Sequence, residues 1–116
     1  MTVQADSGRV VVLCERLADA TRAGTAKWHG ESEDRFLWEG QQGSVSVQSR
    51  DNDGEPPYQL VVFNTNGVKV EELTSQLLEN DQPAEWNEPL AVLYRSARRS
   101  ALKADEIIDA LIEALH

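Results

Sequence analysis

Apolar residues recur at spacings of three and four near both ends of this 116-residue chain and at spacings of two in its middle, which divides it into helical and extended stretches. From Asp6 to Gly24, Val10, Leu13, Cys14, Leu17 and Thr21 fall on one face of a helix. Arg9, Glu15, Arg16, Asp19 and Arg22 fill the other faces. Asp6 or Ser7 suits the N-cap, and Gly24 suits the left-handed residue that follows a last turn.

Three extended runs follow. In Arg35–Glu39, Phe36 and Trp38 alternate with Leu37 and Glu39. In Ser44–Ser49, Val45 and Val47 alternate with Ser44, Ser46 and Gln48, the signature of a strand with one wet face. Gln41-Gln42-Gly43 predicts a short hairpin turn between them. Tyr58–Phe63 is apolar at almost every position, as expected of a central strand covered on both faces. The Asp51–Pro57 loop before it and the Asn64–Gly67 segment after it are rich in turn-forming residues. Val68 and Val70 predict a short fourth strand, and Leu73, Leu77 and Leu78 predict a brief helix over Glu71–Glu79, with a loop from Asn80 to Asn87.

The C-terminal part returns to helical spacing. Pro89 suits a first helical turn, and Leu90, Leu93, Tyr94, Ala97 and Ala101 continue the pattern. A break near Lys103 precedes a last helix, Ala104–Leu115, striped by Ile107, Ile108, Leu111, Ile112 and Leu115. The expectation is a single α+β domain over residues 1–116. It has an N-terminal helix, an antiparallel sheet of three to four strands, and C-terminal helices packed on one face.

Charge narrows the range of partners. Twenty acidic residues against eleven basic ones give a net charge of −9, which repels nucleic acid and anionic lipid at long range. No apolar run is long enough to span a bilayer, so neither a membrane nor nucleic acid is an expected partner. The single cysteine, Cys14, allows no intrachain disulfide, and the N-terminus lacks the build of a signal peptide, so the expected location is the cytoplasm.

Candidate chemistry is sparse. Cys14 lies on the apolar stripe of the first helix, where a structural thiol is expected. The two histidines, His29 and His116, stand far apart in sequence and supply neither a zinc set nor a triad. Glu31, Glu33 and Asp34 form an acidic cluster that reads as surface charge. Asp51, Asp53 and Glu55 around Gly54 depart from the order of a calcium loop, so no metal or cofactor is expected. Arg95, Arg98 and Arg99, with Lys103, share a helix face suited to an anion or an acidic partner, or to pairing with nearby carboxylates. Trp86, in the polar stretch Ala84–Glu88, is either a core plug or a surface anchor.

Three stretches carry a resemblance of layout: Leu17–Gly24 followed by Trp28, Pro57–Phe63 with Asn66-Gly67, and Leu93–Ala101 leading into Ile107–Ile112. In these the chain resembles small α+β proteins, without an established activity, of high-GC Gram-positive bacteria and their phages. The resemblance implies a bacterial cytoplasmic protein with an accessory or regulatory role and assigns no functional residue.

Two functions are consistent with these residues. The first is a non-enzymatic protein-interaction or regulatory module that binds another protein or a second copy of itself as a homodimer, burying surplus apolar helix surface. The acidic run Glu71, Glu72, Glu79, Asp81, Glu85 and Glu88 suits a basic partner. The alternative is a small-molecule or anionic-ligand domain with a pocket lined by Trp28, Trp38, Tyr58 and Tyr94, where Arg95 meets the anion.

Overall fold

The extended runs Arg35–Glu39, Ser44–Ser49 and Tyr58–Phe63 become three consecutive strands of one antiparallel sheet in the computed structural model, which describes residues 3–115. In chain order the elements are α1 (Val3–Arg22), β1 (His29–Ser32), β2 (Arg35–Glu39), β3 (Ser44–Ser49), β4 (Tyr58–Phe63) and β5 (Lys69–Thr74), then a 3-10 turn (Glu79–Asp81), α2 (Asn87–Ala101) and α3 (Ala104–Ala114). The sheet is a meander with spatial order β1-β2-β3-β4-β5.

The α+β class and antiparallel sheet are as expected, but the sheet has five strands rather than three to four. β1 carries no apolar alternation, because all four of its residues are exposed; it is held by backbone pairing of His29 with Leu37 and Gly30 with Phe36. β5 takes in Val70 of the expected short fourth strand and continues to Thr74, into the segment whose leucine spacing suggested a helix. Leu73 is buried opposite Leu60 on β4, and pairing with β4 satisfies backbone groups that a helix here would leave unpaired on the inner strand. Leu77 and Leu78, the other two residues of the apparent helical stripe, lie beyond the strand and are exposed. α1 also begins earlier than expected, at Val3, so Asp6 and Ser7 lie inside the helix rather than capping it. His116 lies outside the described residues.

Register decides which face is buried. Phe36, Val45, Val47, Tyr58, Leu60 and Leu73 point to one side of the sheet and meet Leu90, Leu93, Tyr94 and Ala97 of α2 in one core, which Val10, Cys14, Leu17 and Ala18 of α1 complete. α2 lies on this face against β1 to β4, and α1 packs on α2. β4 is therefore covered on one face only, contrary to its apolar run: Tyr58 and Leu60 are buried, whereas Gln59 and Val61 are half-buried. On the open face Gln48 Nε2 donates to Gln59 Oε1 at 2.9 Å, Gln59 Nε2 donates to Glu72, and Lys69 Nζ lies 2.9 Å from Glu72 Oε1. This cross-strand polar row compensates the strand groups that no helix covers.

The turns have local causes. Asn64 Oδ1 accepts from the backbone N–H groups of Asn66 and Val68 at 2.9 and 3.0 Å, and Gly67 takes φ +78°, a conformation that costs a glycine little. In the Asp51–Pro57 loop the Ser49 hydroxyl sits 3.0 Å from Asp53 Oδ1 and 2.8 Å from the Glu55 carbonyl. The Glu55 N–H and then the Ser49 hydroxyl hold the Asp53 carboxyl below its ordinary pKa.

α3 departs from the expected packing. Lys103 adopts a left-handed conformation (φ 56°, ψ 44°) between α2 and α3, and the main contacts of α3 within the fold are with α2. None of its side chains is buried.

The aromatic centre of the core yields a stability prediction. Tyr94 stacks on Tyr58 with ring centroids 4.3 Å apart and meets Phe36 at 5.7 Å. Urea denaturation of Tyr94→Ala should show a loss of about 3–5 kcal/mol, as for other large aromatic truncations. Tyr94→Phe keeps the rings and removes only the 3.3 Å hydrogen bond from Tyr94 Oη to Asp34, so it should cost about 1 kcal/mol.

Candidate functional site

The residues considered for an aromatic pocket belong to the packing of the fold. Tyr58, Tyr94 and Trp28 are buried, and Trp38 is half-buried with its ring lying over Gly40. Burial, followed by the Asp34 carboxylate, pushes the Tyr94 hydroxyl up to about 12. Trp86 is buried too. Its indole N–H donates to the Thr74 carbonyl at 2.9 Å, joining the end of β5 to the start of α2. Asn87 reinforces that joint, accepting from the Gln76 N–H at 3.0 Å and donating to the Gln76 carbonyl at 2.7 Å.

A cleft forms instead where α1 ends. α1 stops in a turn in which Thr25 and Ala26 return their N–H groups to the Ala20 carbonyl at 2.9 and 3.1 Å, with Gly24 at φ +85°. The chain then reaches Trp28, whose backbone N–H donates to Ser100 Oγ at 3.1 Å and whose indole N–H donates to Thr21 Oγ1 at 2.9 Å. Thr21 Oγ1 itself donates to the Leu17 carbonyl at 2.6 Å. These bonds tie the last turn of α1 to the last turns of α2 and leave a cleft of about 500 Å³ between them. Its volume lies in the range typical of binding clefts.

Five cations line this cleft: Arg22 from α1, Lys27 from the connecting loop, Arg95 and Arg99 from α2, and Lys103 from the turn into α3. They are five of the eleven basic residues of a chain with net charge −9, a concentration that composition alone does not produce. Val92 and Ala26 supply apolar lining, while Asp105 and Glu106 stand at the side where α3 begins. Arg22 pairs with Asp19, Arg99 with Asp105, and Arg95 lies 3.8 Å from Glu88, all on exposed side chains where such pairs contribute little. Among the described residues Lys27 and Lys103 have no carboxylate oxygen within 4 Å. Arg95 and Arg99 were legible as one basic helix face. Arg98 is not among the cleft residues; it is exposed and its charge acts on Tyr94 instead. Arg22 and Lys27 escaped sequence reasoning because only the packing of α1 on α2 brings them alongside.

The second notable surface is α3. Ile107, Ile108, Leu111, Ile112 and Leu115 are between 45% and 86% exposed, and Leu102 just before the helix is exposed as well. α3 also carries Asp105, Glu106, Asp109 and Glu113 and no basic residue. On a helical projection Asp105 and then Asp109 follow the apolar stripe beyond Ile112, Glu113 and Glu106 continue onto the face opposite it, and Ala110 and Ala114 lie on the other side.

The groups weighed for chemistry are engaged elsewhere or lie open to solvent. Glu31 pairs with Arg35 at 3.1 Å, and Asp34 accepts the Tyr94 hydroxyl, so these two acids of the Glu31–Asp34 cluster face different partners. His29 is exposed on the outer strand β1. Among the described residues no three of His, Cys, Asp and Glu gather as a metal site, and no helix is long and apolar enough to cross a membrane.

Cys14 is fully buried, and burial, then the charge of Glu15, pushes its thiol up to about 12. Its ordinary value is 9.0, so the folded state retains the proton longer than the unfolded chain. The contribution of Cys14 to stability is therefore whole below pH 9 and is lost as pH rises towards 12, at about 1.4 kcal/mol per pH unit. An aromatic disulfide reagent at mildly alkaline pH should leave the native thiol unmodified and react fully once urea unfolds the chain. Rapid reaction in the native state would contradict the burial.

No protein-family model, no curated protein and no solved structure matches this chain.

Proposed function

We propose that this chain is a non-enzymatic protein-interaction module that associates with a second copy of itself through α3. The observation that carries this reading is the continuous apolar stripe of α3, exposed along its whole length. With Leu102 the patch amounts to several hundred Å², at the upper end of what a soluble monomer leaves in water, roughly 300–600 Å². A standard interface buries about 800 Å² per partner, which the stripe and its polar borders approach. Burial of both stripes in one two-fold contact satisfies both chains at once and leaves no open surface for further growth.

The titratable groups agree with a scaffold role. Cys14 and Tyr94 sit inside the core with their protons held more tightly than usual, and the clustered arginines lie on a surface suited to a charged partner.

Sedimentation equilibrium or light scattering at high micromolar concentration should return the mass of two chains. Ile108→Ser combined with Leu111→Ser should weaken association by at least ~100-fold, since each aliphatic side chain contributes about 1.5–3 kcal/mol when covered. The melting temperature of the variant at concentrations where both forms are monomeric should match that of the wild type, because neither side chain is buried within the chain. A wild-type mass of one chain throughout would remove the reading.

A further inference from the structure

α3 and the cleft beside it complement each other in charge and polarity, and we infer that α3 of each chain docks in the cleft of the other. This rests on the self-association proposed above and specifies where the helix lands.

α3 combines an apolar stripe with an acidic flank and has no basic residue. The cleft combines apolar lining at Val92 and Ala26 with the cations Arg22, Lys27, Arg95, Arg99 and Lys103. Two chains of charge −9 repel each other at long range, so association is favoured where the cations of one meet the acids of the other. A symmetric α3-to-α3 contact without the cleft would bring acidic flanks together. Docking in the cleft places those flanks against guanidinium and ammonium groups while its apolar lining receives the stripe.

α3 cannot fill its own cleft. Only its first turn, at Asp105 and Glu106, borders that space, and Arg99 grips Asp105 there. The left-handed backbone at Lys103 then directs the rest of the helix onward, with its aliphatic residues left in water. Asp109 and Glu113 stand one and two turns further along, and among the described residues neither has a cation within 4 Å. They share one helix flank, so both are available to a single basic surface. A reciprocal exchange uses the same two surfaces twice and closes on a two-fold axis.

A charge-swap experiment tests the placement. One variant carries Lys27→Glu and Lys103→Glu, the two cleft cations without an ion pair among the described residues; the other carries Asp109→Lys and Glu113→Lys. All four side chains are exposed, so both variants should keep the wild-type circular dichroism spectrum and melting temperature as monomers. Each alone should associate at least ~10-fold more weakly than the wild type, because like charges then meet at both contacts. An equimolar mixture should recover a two-chain mass, since a reversed helix meets a reversed cleft at one contact and native partners meet at the other.

Charge-reversed variants that associate as the wild type does, or a mixture that stays monomeric, would each overturn the docking. If Ile108→Ser with Leu111→Ser still abolishes association in those cases, self-association through α3 stands and only its landing place is lost. A wild-type chain that sediments alone sinks both.

Discussion

Packing of Tyr94 between Tyr58 and Phe36 is the contact on which the rest of the molecule depends. It seats α2 on the sheet through rings that are almost wholly removed from water, and the core of α1, α2 and sheet is continuous around it. Because successive helical residues are turned by about 100°, fixing Tyr94 inward sets the direction of Arg95 beside it and of Arg99 one turn on. The cleft is thus a consequence of core packing: the inward face of α2 holds the fold, and an adjoining face lines the cleft with charge.

Trp28 converts that arrangement into a defined space. Its indole meets Thr21 on α1, and its backbone N–H meets Ser100 on α2, so the two helix ends are linked through one buried residue. Arg22 follows Thr21 directly, and Lys27 precedes Trp28. Both cations are carried into place by neighbours whose hydrogen bonds are satisfied in the interior. The basic concentration consequently has contributors on four separate segments: α1, the loop after it, α2 and the turn into α3.

The parts of this arrangement that were legible in the sequence are those with a periodic core face. β2 and β3 have the boundaries expected from alternation, through Phe36, Val45 and Val47, and β4 has those expected from its apolar run. β1 was not legible, because His29–Ser32 buries nothing and exists only as a backbone partner of β2. β5 was misread because Leu73, Leu77 and Leu78 also fit helical spacing, and pairing with β4 outweighs that local pattern. The basic face of α2 could be read from spacing, whereas its union with Arg22 and Lys27 required the tertiary fold. The apolar run of β4 suggested two covered faces, and only the register shows that Val61 shares its side with Ser46, Leu37 and Glu72.

α3 shows where periodicity stops being informative. The stripe of Ile107, Ile108, Leu111, Ile112 and Leu115 was as clear as that of α1 or α2, yet the pattern states only that one face avoids water, not what covers it. Isolated helices of this length are marginal in water, and most helices gain their stability by packing an apolar face. α3 is 11 residues long and, among the described residues, is held by the pairing of Arg99 with Asp105 in its first turn and by its contact with α2. Its acidic flank adds self-repulsion along the helix, since Asp109 and Glu113 are one turn apart and of like charge. Both liabilities, the uncovered stripe and the crowded carboxylates, are relieved by the same kind of surface, one that sets cations beside apolar lining. The fold builds such a surface a few residues away, at the junction of α1 and α2, and the left-handed turn at Lys103 keeps the helix of the same chain from using it.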